Sequence, residues 1–122
     1  MNKNKSQLIS GFKKATIEMI LLKFLSESDM YGYQLTQEVK KRSNGLYTIL
    51  EGSMYPILYR LTEQNFVSFQ EVKTGKRQVR VYYHLEDSGK DYYKELKTSY
   101  EEYSAVISFL LSSAEGDIYG SN

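Results

Sequence analysis

Apolar residues recur every three or four positions in three separate stretches of the first half of the chain. This spacing puts their side chains on one face of an α-helix. It predicts helices over residues 12–26, 32–43 and 53–64, whereas the polar residues 1–10 are expected to be loosely ordered. Because only short connections separate the three helices, they are expected to pack into one small head.

The connections between these helices carry residues that suit helix ends. Asp29 is a candidate N-cap for the second helix, and Asn44-Gly45 can end that helix, because both residues tolerate a left-handed backbone. The apolar stretch 46–50 is short and β-prone, which predicts a minor strand. Ser53 is the candidate N-cap of the third helix.

The third predicted helix has two different faces. Its apolar face contains Met54, Ile57, Leu58 and Leu61. Its opposite face contains Tyr55, Pro56, Tyr59, Arg60 and Glu63. Two tyrosines beside an arginine are unusual residues to leave in water, but they suit a DNA groove, where arginine can pair with a phosphate or a guanine edge. With Ser53 as N-cap, Pro56 would lie in the first turn, where its missing N–H does no harm.

Two strands, predicted over residues 66–72 and 79–85, follow this helix directly. The turn between them is basic, and residues 73–80 contain four cations and no acidic residue. These cations are Lys73, Lys76, Arg77 and Arg80. Three helices followed by a basic hairpin are typical of a winged helix-turn-helix, in which the hairpin forms the wing. The sequence therefore predicts a mainly α-helical fold with a small β-hairpin wing in residues 1–85.

The rest of the chain predicts one long helix over residues 87–113. Its apolar and aromatic residues alternate spacings of three and four, which makes a heptad-like seam. The seam contains Tyr93, Leu96, Tyr100, Tyr103, Ile107 and Leu110. A small head cannot cover so long a seam, so residues 86–113 are predicted to be a C-terminal dimerisation helix. Residues 114–122 contain two glycines and several small polar residues, and they are expected to be a flexible tail.

Tyrosine is abundant, with 12 residues in the chain, and this leaves two interpretations of the seam. In the first, the rings of the long helix pack the core of a dimer. In the second, Tyr100 and Tyr103 line a cavity between subunits that takes a flat hydrophobic effector.

Composition narrows the classes of function. The chain has no cysteine, which excludes a thiolate nucleophile and a cysteine-ligated zinc site, and His84 is its only histidine. Neighbouring acidic residues such as Glu101 and Glu102 point apart on a helix, so no carboxylate dyad is formed. We therefore expect no catalytic residues, no metal and no cofactor. No apolar run is long enough to span a bilayer and no signal-peptide core is visible, so a cytoplasmic protein is expected.

The small net charge of +1 conceals an asymmetry along the chain. Residues 1–84 contain 13 Lys and Arg against 7 Asp and Glu, a net +6, whereas residues 85–122 contain 3 against 8, a net −5. A basic head on an acidic helix favours a polyanionic partner for the head.

Several short motifs together resemble those of the PadR family of bacterial transcriptional regulators. They are Gly32-Tyr33, the run Gly52-Ser53-Met54-Tyr55-Pro56-Ile57-Leu58-Tyr59-Arg60-Leu61, and Tyr82-Tyr83-His84-Leu85 followed by Gly89. The match in order and spacing covers about residues 11–112. The single C-terminal helix is similar to the shorter branch of the family, which includes multidrug-responsive repressors. One departure is Asn65-Phe66-Val67, where the family usually has Gly-Leu-Ile.

The resemblance implies a homodimeric repressor that binds a partly palindromic, double-stranded operator. It also implies a planar aromatic or phenolic effector that weakens DNA binding, with Tyr100 at the position of an aromatic residue in the dimer pore. The predicted DNA-binding residues are Tyr33, Ser53, Tyr55, Pro56, Tyr59 and Arg60 on the helices, and Lys73, Lys76, Arg77 and Arg80 on the wing. The alternative is a winged helix that binds another protein through its tyrosine face, without sequence-specific DNA binding.

Overall fold

The structure is a computed structural model that describes the backbone of residues 3–121 and the side chains of residue 5 and residues 7–112. Within that part of the chain there are four helices, α1 Lys3–Glu27, α2 Gly32–Arg42, α3 Glu51–Glu63 and α4 Asp87–Ser121. The strands are β1 Met30–Tyr31, β2 Val67–Lys73 and β3 Val79–Leu85. The expectations for Met1, Asn2 and Asn122 lie outside the described residues. The predicted fold, mainly helical with a small β-hairpin, is confirmed.

The sheet contains a third strand, β1, that the sequence did not reveal. Strands β2 and β3 pair antiparallel with Phe69 opposite Tyr83, and β1 adds to the other edge of β3, which gives the order β1-β3-β2. Since β1 has only two residues, it is too short to show an alternating pattern. β1 ties the connection between α1 and α2 to the sheet.

The minor strand predicted over residues 46–50 is wrong, because this stretch is a loop. Its apolar and β-prone residues serve tertiary packing instead. Ile49 is buried in the core, and the hydroxyls of Tyr47 and Thr16 lie 2.8 Å apart. The loop is therefore held against α1 by its side chains and not by a β-ladder.

The core lies where α1, α2 and α3 meet the base of the sheet. Its fully buried side chains are Leu21, Leu22, Leu35, Met54, Leu58, Leu61, Val67 and Leu85. Burial of one such side chain contributes about 1.5–3 kcal/mol, so these residues supply most of the driving force for folding of the head. In α3, the buried residues are Met54, Leu58 and Leu61, on the face that the sequence predicted to be apolar.

The two outer helices are longer than the sequence predicted. Helix α1 begins at Lys3, although residues 1–10 were expected to be loosely ordered. Helix α4 continues to Ser121, so residues 114–121 extend the helix that was expected to end at residue 113. A glycine costs a helix only about 1 kcal/mol, and in the absence of proline nothing forces either helix to stop earlier. Among the described residues, none of the helices combines the length and apolar character that crossing a bilayer requires.

The predicted helix caps differ from those observed. The N-cap of α2 is Tyr31, and Asp29 instead lies 2.8 Å from Nδ1 of His84 on β3. The N-cap of α3 is Leu50, so Ser53 is the third residue of the helix and Pro56 is the sixth. Pro56 therefore lies in the second turn, where its missing N–H removes the i→i−4 donor of the helix.

In the described part of the chain, three residues adopt the left-handed backbone, and all of them follow a helix. Asn44 (φ 53°) and Gly45 (φ 79°) end α2 as predicted. Asn65 (φ 64°) follows α3, which confirms that asparagine serves there in place of glycine. Glycine is required at position 89 for a steric reason, because a Cβ at this position would overlap the carbonyl oxygen of Phe66. The first turn of α4 can therefore pack directly against the end of α3.

Candidate nucleic-acid interface

Helix α3 presents one face to solvent because its other face is fixed in the core. Pro56 and Arg60 are exposed, and the side chain of Tyr59 retains 69% of its accessible surface. Ser53 and Tyr55 are also exposed. All five helix α3 residues predicted to bind DNA are thus accessible, and a partner can reach them without unfolding of the head.

A groove separates this exposed face from the sheet. Tyr55 and Tyr59 line it from α3, while Phe69 and Tyr83 line it from the sheet. The volume of the groove is about 440 Å³, and the ring centroids of Phe69 and Tyr83 lie 6.4 Å apart. The sequence alone did not indicate that Tyr83 of the sheet lies beside the two tyrosines of α3.

Tyr55 is held by packing as well as exposed. Its ring and hydroxyl lie against Gly32, the first residue of α2, where a Cβ would overlap them. Burial raises the pKa of the Tyr55 phenol, and the nearby Glu51 carboxylate adds to this effect. Glycine at position 32 is therefore needed so that Tyr55 can cross to α2. The next residue, Tyr33, is exposed.

Arg60 lies on the opposite flank of α3 from the groove, facing α1. Its Nη1 donates to Oε1 of Glu18 at 2.9 Å. The Tyr92 hydroxyl of α4 donates to the same carboxylate oxygen at 3.2 Å, and the Tyr92 ring stacks on Phe66 at 4.3 Å between centroids. Burial and the Glu18 carboxylate raise the pKa of Tyr92. The sequence grouped Arg60 with the two tyrosines, but the structure joins it to α1 and α4.

Glu18 was not identified from the sequence, although one signal was available. It is the only charged residue in the apolar stretch 15–22 of α1. A carboxylate within such a stretch requires a partner, because an unpaired buried charge is costly. The identity of that partner, 42 residues further along the chain, depends on how α1 and α3 pack.

The wing carries the four predicted cations, and they differ in their surroundings. The Arg80 guanidinium lies over the Tyr31 ring at 4.4 Å, at the base of the hairpin. Lys73, Lys76 and Arg77 are exposed, and no acidic side chain in the described part of the chain pairs with them. Their charges are thus available to an external anion.

The predicted seam of α4 divides into two parts. Tyr93 and Leu96 pack against the core of their own chain. Further along the helix, Tyr100, Tyr103, Ile107 and Leu110 are exposed. Leu8 and Phe12 of α1 are exposed as well. These two helix segments, the first half of α1 and the second half of α4, form an outer layer with a large apolar surface that the described part of the chain does not cover.

The fold and the exposed third helix define a winged helix-turn-helix protein. The family model of the transcriptional regulator PadR-like family matches residues 21–95, which is more than half of the chain. The chain therefore belongs to this family. Its members are transcriptional regulators, which confirms the prediction of a regulator and not an enzyme.

The chain is similar to relatives over their full length and over part of their length. An uncharacterised protein of Lysinibacillus sphaericus is 28% identical over 113 residues, which cover 91% of this chain and 98% of that protein. The negative transcriptional regulator PadR of Bacillus subtilis is 27% identical over 74 residues, which cover 61% of this chain and 41% of that regulator. The chain thus spans less than half the length of the Bacillus subtilis protein.

Solved structures show the same fold. A transcriptional regulator from Clostridium thermocellum superposes with a TM-score of 0.75 at 26% identity, covering 80% of this chain and 95% of that one. Bacillus subtilis PadR, solved in complex with operator DNA, gives a TM-score of 0.61 at 25% identity, covering 66% of this chain and 46% of that one.

Proposed function

We propose that this protein is a cytoplasmic homodimeric repressor that binds a partly palindromic, double-stranded operator. Helix α3 would enter the major groove, with Ser53, Tyr55, Pro56, Tyr59 and Arg60 toward the DNA, and Tyr33 would contact it from α2. Lys73, Lys76, Arg77 and Arg80 of the wing would bind phosphates. The observation that carries the proposal is an exposed polar and aromatic helix face beside a hairpin whose cations have no acidic partner among the residues that the structure describes. The Bacillus subtilis relative solved with operator DNA supports it.

Fluorescence anisotropy with duplex DNA tests the proposal. The probes are the inverted repeat from the DNA flanking the gene and a mixed-sequence duplex of equal length. Replacement of Lys76 and Arg77 by Gln should weaken binding to both probes, and the salt slope should fall by about 1.8, since each phosphate contact contributes about 0.9. Tyr59→Ala should reduce the preference for the inverted repeat.

The matched control removes two exposed lysines from α4, as Lys94→Gln with Lys97→Gln. It should bind both duplexes as the wild type does. If the wild type binds neither duplex at low salt but retains a protein from lysate, the alternative of a protein-interaction module is favoured instead.

The proposed dimer pairs the exposed seam of α4 with that of a second copy. Four exposed large side chains on one helix, Tyr100, Tyr103, Ile107 and Leu110, exceed what a soluble monomer usually leaves in water. In a two-fold dimer each seam is covered by its counterpart, and two α3 helices are presented to two half-sites.

The proposed effector is a planar aromatic or phenolic molecule bound between subunits against Tyr100 and Tyr103. Both rings are exposed in a single chain, so a second copy is needed to enclose a ligand. A planar aromatic dye should quench tyrosine fluorescence saturably, and Tyr100→Ala should weaken this binding. Saturable quenching that is unchanged in Tyr100→Ala would place the ligand elsewhere.

A further inference from the structure

We propose that the cleft between α1 and α3 is a second phosphate-binding surface, which holds one strand of the DNA backbone on the side of α3 opposite to the wing. This inference rests on the proposed function and extends it to α1, a helix that carries none of the predicted DNA-binding residues. The occupant is the phosphodiester backbone of the same duplex that α3 enters.

The cleft has a volume of about 550 Å³ and a polar rim over an apolar floor. Lys13 and Lys14 of α1 form one wall, and Ser53 and Arg60 of α3 form the other. The loop residue Thr48 also lines the cleft. The rim thus supplies hydroxyl and cationic N–H donors, which are the groups that bind phosphate oxygens.

The charge of the cleft is positive. Its lining contains three cations and one carboxylate, that of Glu18, which already accepts from Arg60 and Tyr92. Lys13 donates to the Thr48 hydroxyl at 3.1 Å, so its charge is not neutralised. Lys14 is exposed and has no ion-pair partner in the described part of the chain. An anion that enters the cleft therefore meets uncompensated positive charge.

The position of the cleft matches the second backbone of a duplex. The exposed face of α3 has the aromatic groove and the sheet on one flank and the cleft on the other. A helix in the major groove has one phosphate strand on each side, because the groove is only about 12 Å wide. The wing lies toward one strand, and Lys13 and Lys14 would then meet the other.

The cleft stays open in the proposed dimer. Lys14 follows Phe12 by two positions and is thus turned about 200° from it around α1. Phe12, with Leu8 one turn earlier, is on the exposed apolar face that a second copy would cover. Dimerisation and phosphate binding therefore use opposite faces of the same helix.

Salt-dependent DNA binding tests the inference. The variants are Lys14→Gln and the double variant Lys13→Gln with Lys14→Gln, and the control is Lys94→Gln with Lys97→Gln. The slope of log affinity against log salt should decrease by about 0.9 in the single variant and about 1.8 in the double variant. Between 50 and 200 mM salt, the advantage of the wild type over the double variant should shrink about twelvefold. Both duplexes should be affected equally, since phosphate contacts carry no sequence information.

The single variant guards against misfolding, because Lys14, unlike Lys13, holds no hydrogen bond to the loop. Melting temperatures of all variants should equal that of the wild type. The inference would be overturned if both cleft variants kept the wild-type affinity and salt slope while the wing variants lost binding. It would also be overturned if the α4 control lost as much affinity as the cleft variants. Failure of the wild type to bind any duplex would overturn the proposed function itself.

Discussion

The head and the outer layer of this protein differ in how far their apolar side chains are buried. In the head, Leu58 and Leu61 of α3 have no accessible surface, and a core shared by α1, α2, α3 and the sheet encloses them. In the outer layer, Tyr103 and Leu110 of α4 keep 70% and 58% of theirs. The apolar side chains of the head are covered within one chain, whereas those of the outer layer would be covered only in the proposed dimer.

This difference separates the residues that support folding from those that support assembly. A substitution in the head should lower the stability of each chain. A substitution in the outer layer should change the equilibrium between chains and leave each head folded. Helix α3 belongs to the head, and its Arg60 is joined to α1 and α4 through Glu18 and Tyr92.

The largest expected effect comes from charges placed in the exposed seam. The double variant Tyr103→Asp with Ile107→Asp should raise the dissociation constant of the dimer more than about a thousandfold, because each unpaired buried carboxylate costs several kcal/mol. Sedimentation should then give a species near the chain mass of 14.2 kDa. The control is Lys94→Asp, which is exposed and faces away from the seam. Wild-type mass in the double variant would mean that the seam is not the interface.

The next effect is the loss of a core side chain. Leu58→Ala should lower the free energy of unfolding by about 2–5 kcal/mol, since it removes transfer energy and leaves a cavity. The measurement is urea denaturation at concentrations where the protein is monomeric. The matched substitution Leu110→Ala should change it by less than about 0.5 kcal/mol. Equal losses for the two variants would remove the distinction between head and outer layer.

A smaller effect is expected at the contact between α2 and α3. Gly32→Ala should cost about 1–3 kcal/mol, because the new methyl group overlaps the Tyr55 ring and hydroxyl. In a Tyr55→Ala background the same substitution should cost almost nothing, since the overlap is gone. A double-mutant cycle measures this coupling. Additive effects would show that Gly32 has another role.

The smallest effect concerns the ion pair of Glu27 and Arg42 on the surface of the head. The hydrogen bond from Arg42, at 2.6 Å, lowers the pKa of Glu27 from its ordinary value of 4.5. The pair therefore contributes stability above pH 4.5 that is lost as the pH falls through the lower folded-state pKa. Glu27→Gln should be slightly less stable than the wild type near neutral pH, and this difference should disappear once the pH is below the folded-state pKa of Glu27. A urea midpoint difference that persists in acid would contradict this.

Much of the head could be predicted because its elements carry local patterns. The apolar spacing of α3 identified Met54, Leu58 and Leu61, which are all buried. The alternation of β3 and the basic turn located the wing to within one residue at each end. The strand predicted over residues 46–50 was wrong, because a β-prone apolar stretch has the same sequence pattern whether it pairs in a sheet or anchors a loop.

The contacts of the site were less predictable. Arg60 was expected to be free, yet it binds Glu18 on a helix that is remote in sequence. The prediction of Asp29 as the N-cap of α2 was wrong for a related reason, since Asp29 has a partner on β3, 55 residues away. A polar side chain near a helix end has several possible partners, and only the packed structure selects one of them.

By itself, the sequence determined the four helices and the two strands of the wing, the buried face of α3, where the positive charge lies and which family the motifs resemble. These properties follow from the local spacing and chemistry of residues. The tertiary structure decided which flank of α3 meets α1, which half of the seam remains uncovered and which lysines lie beside α3. Those outcomes depend on the angles at which whole elements pack, and the packing angles are set by many distant contacts at once.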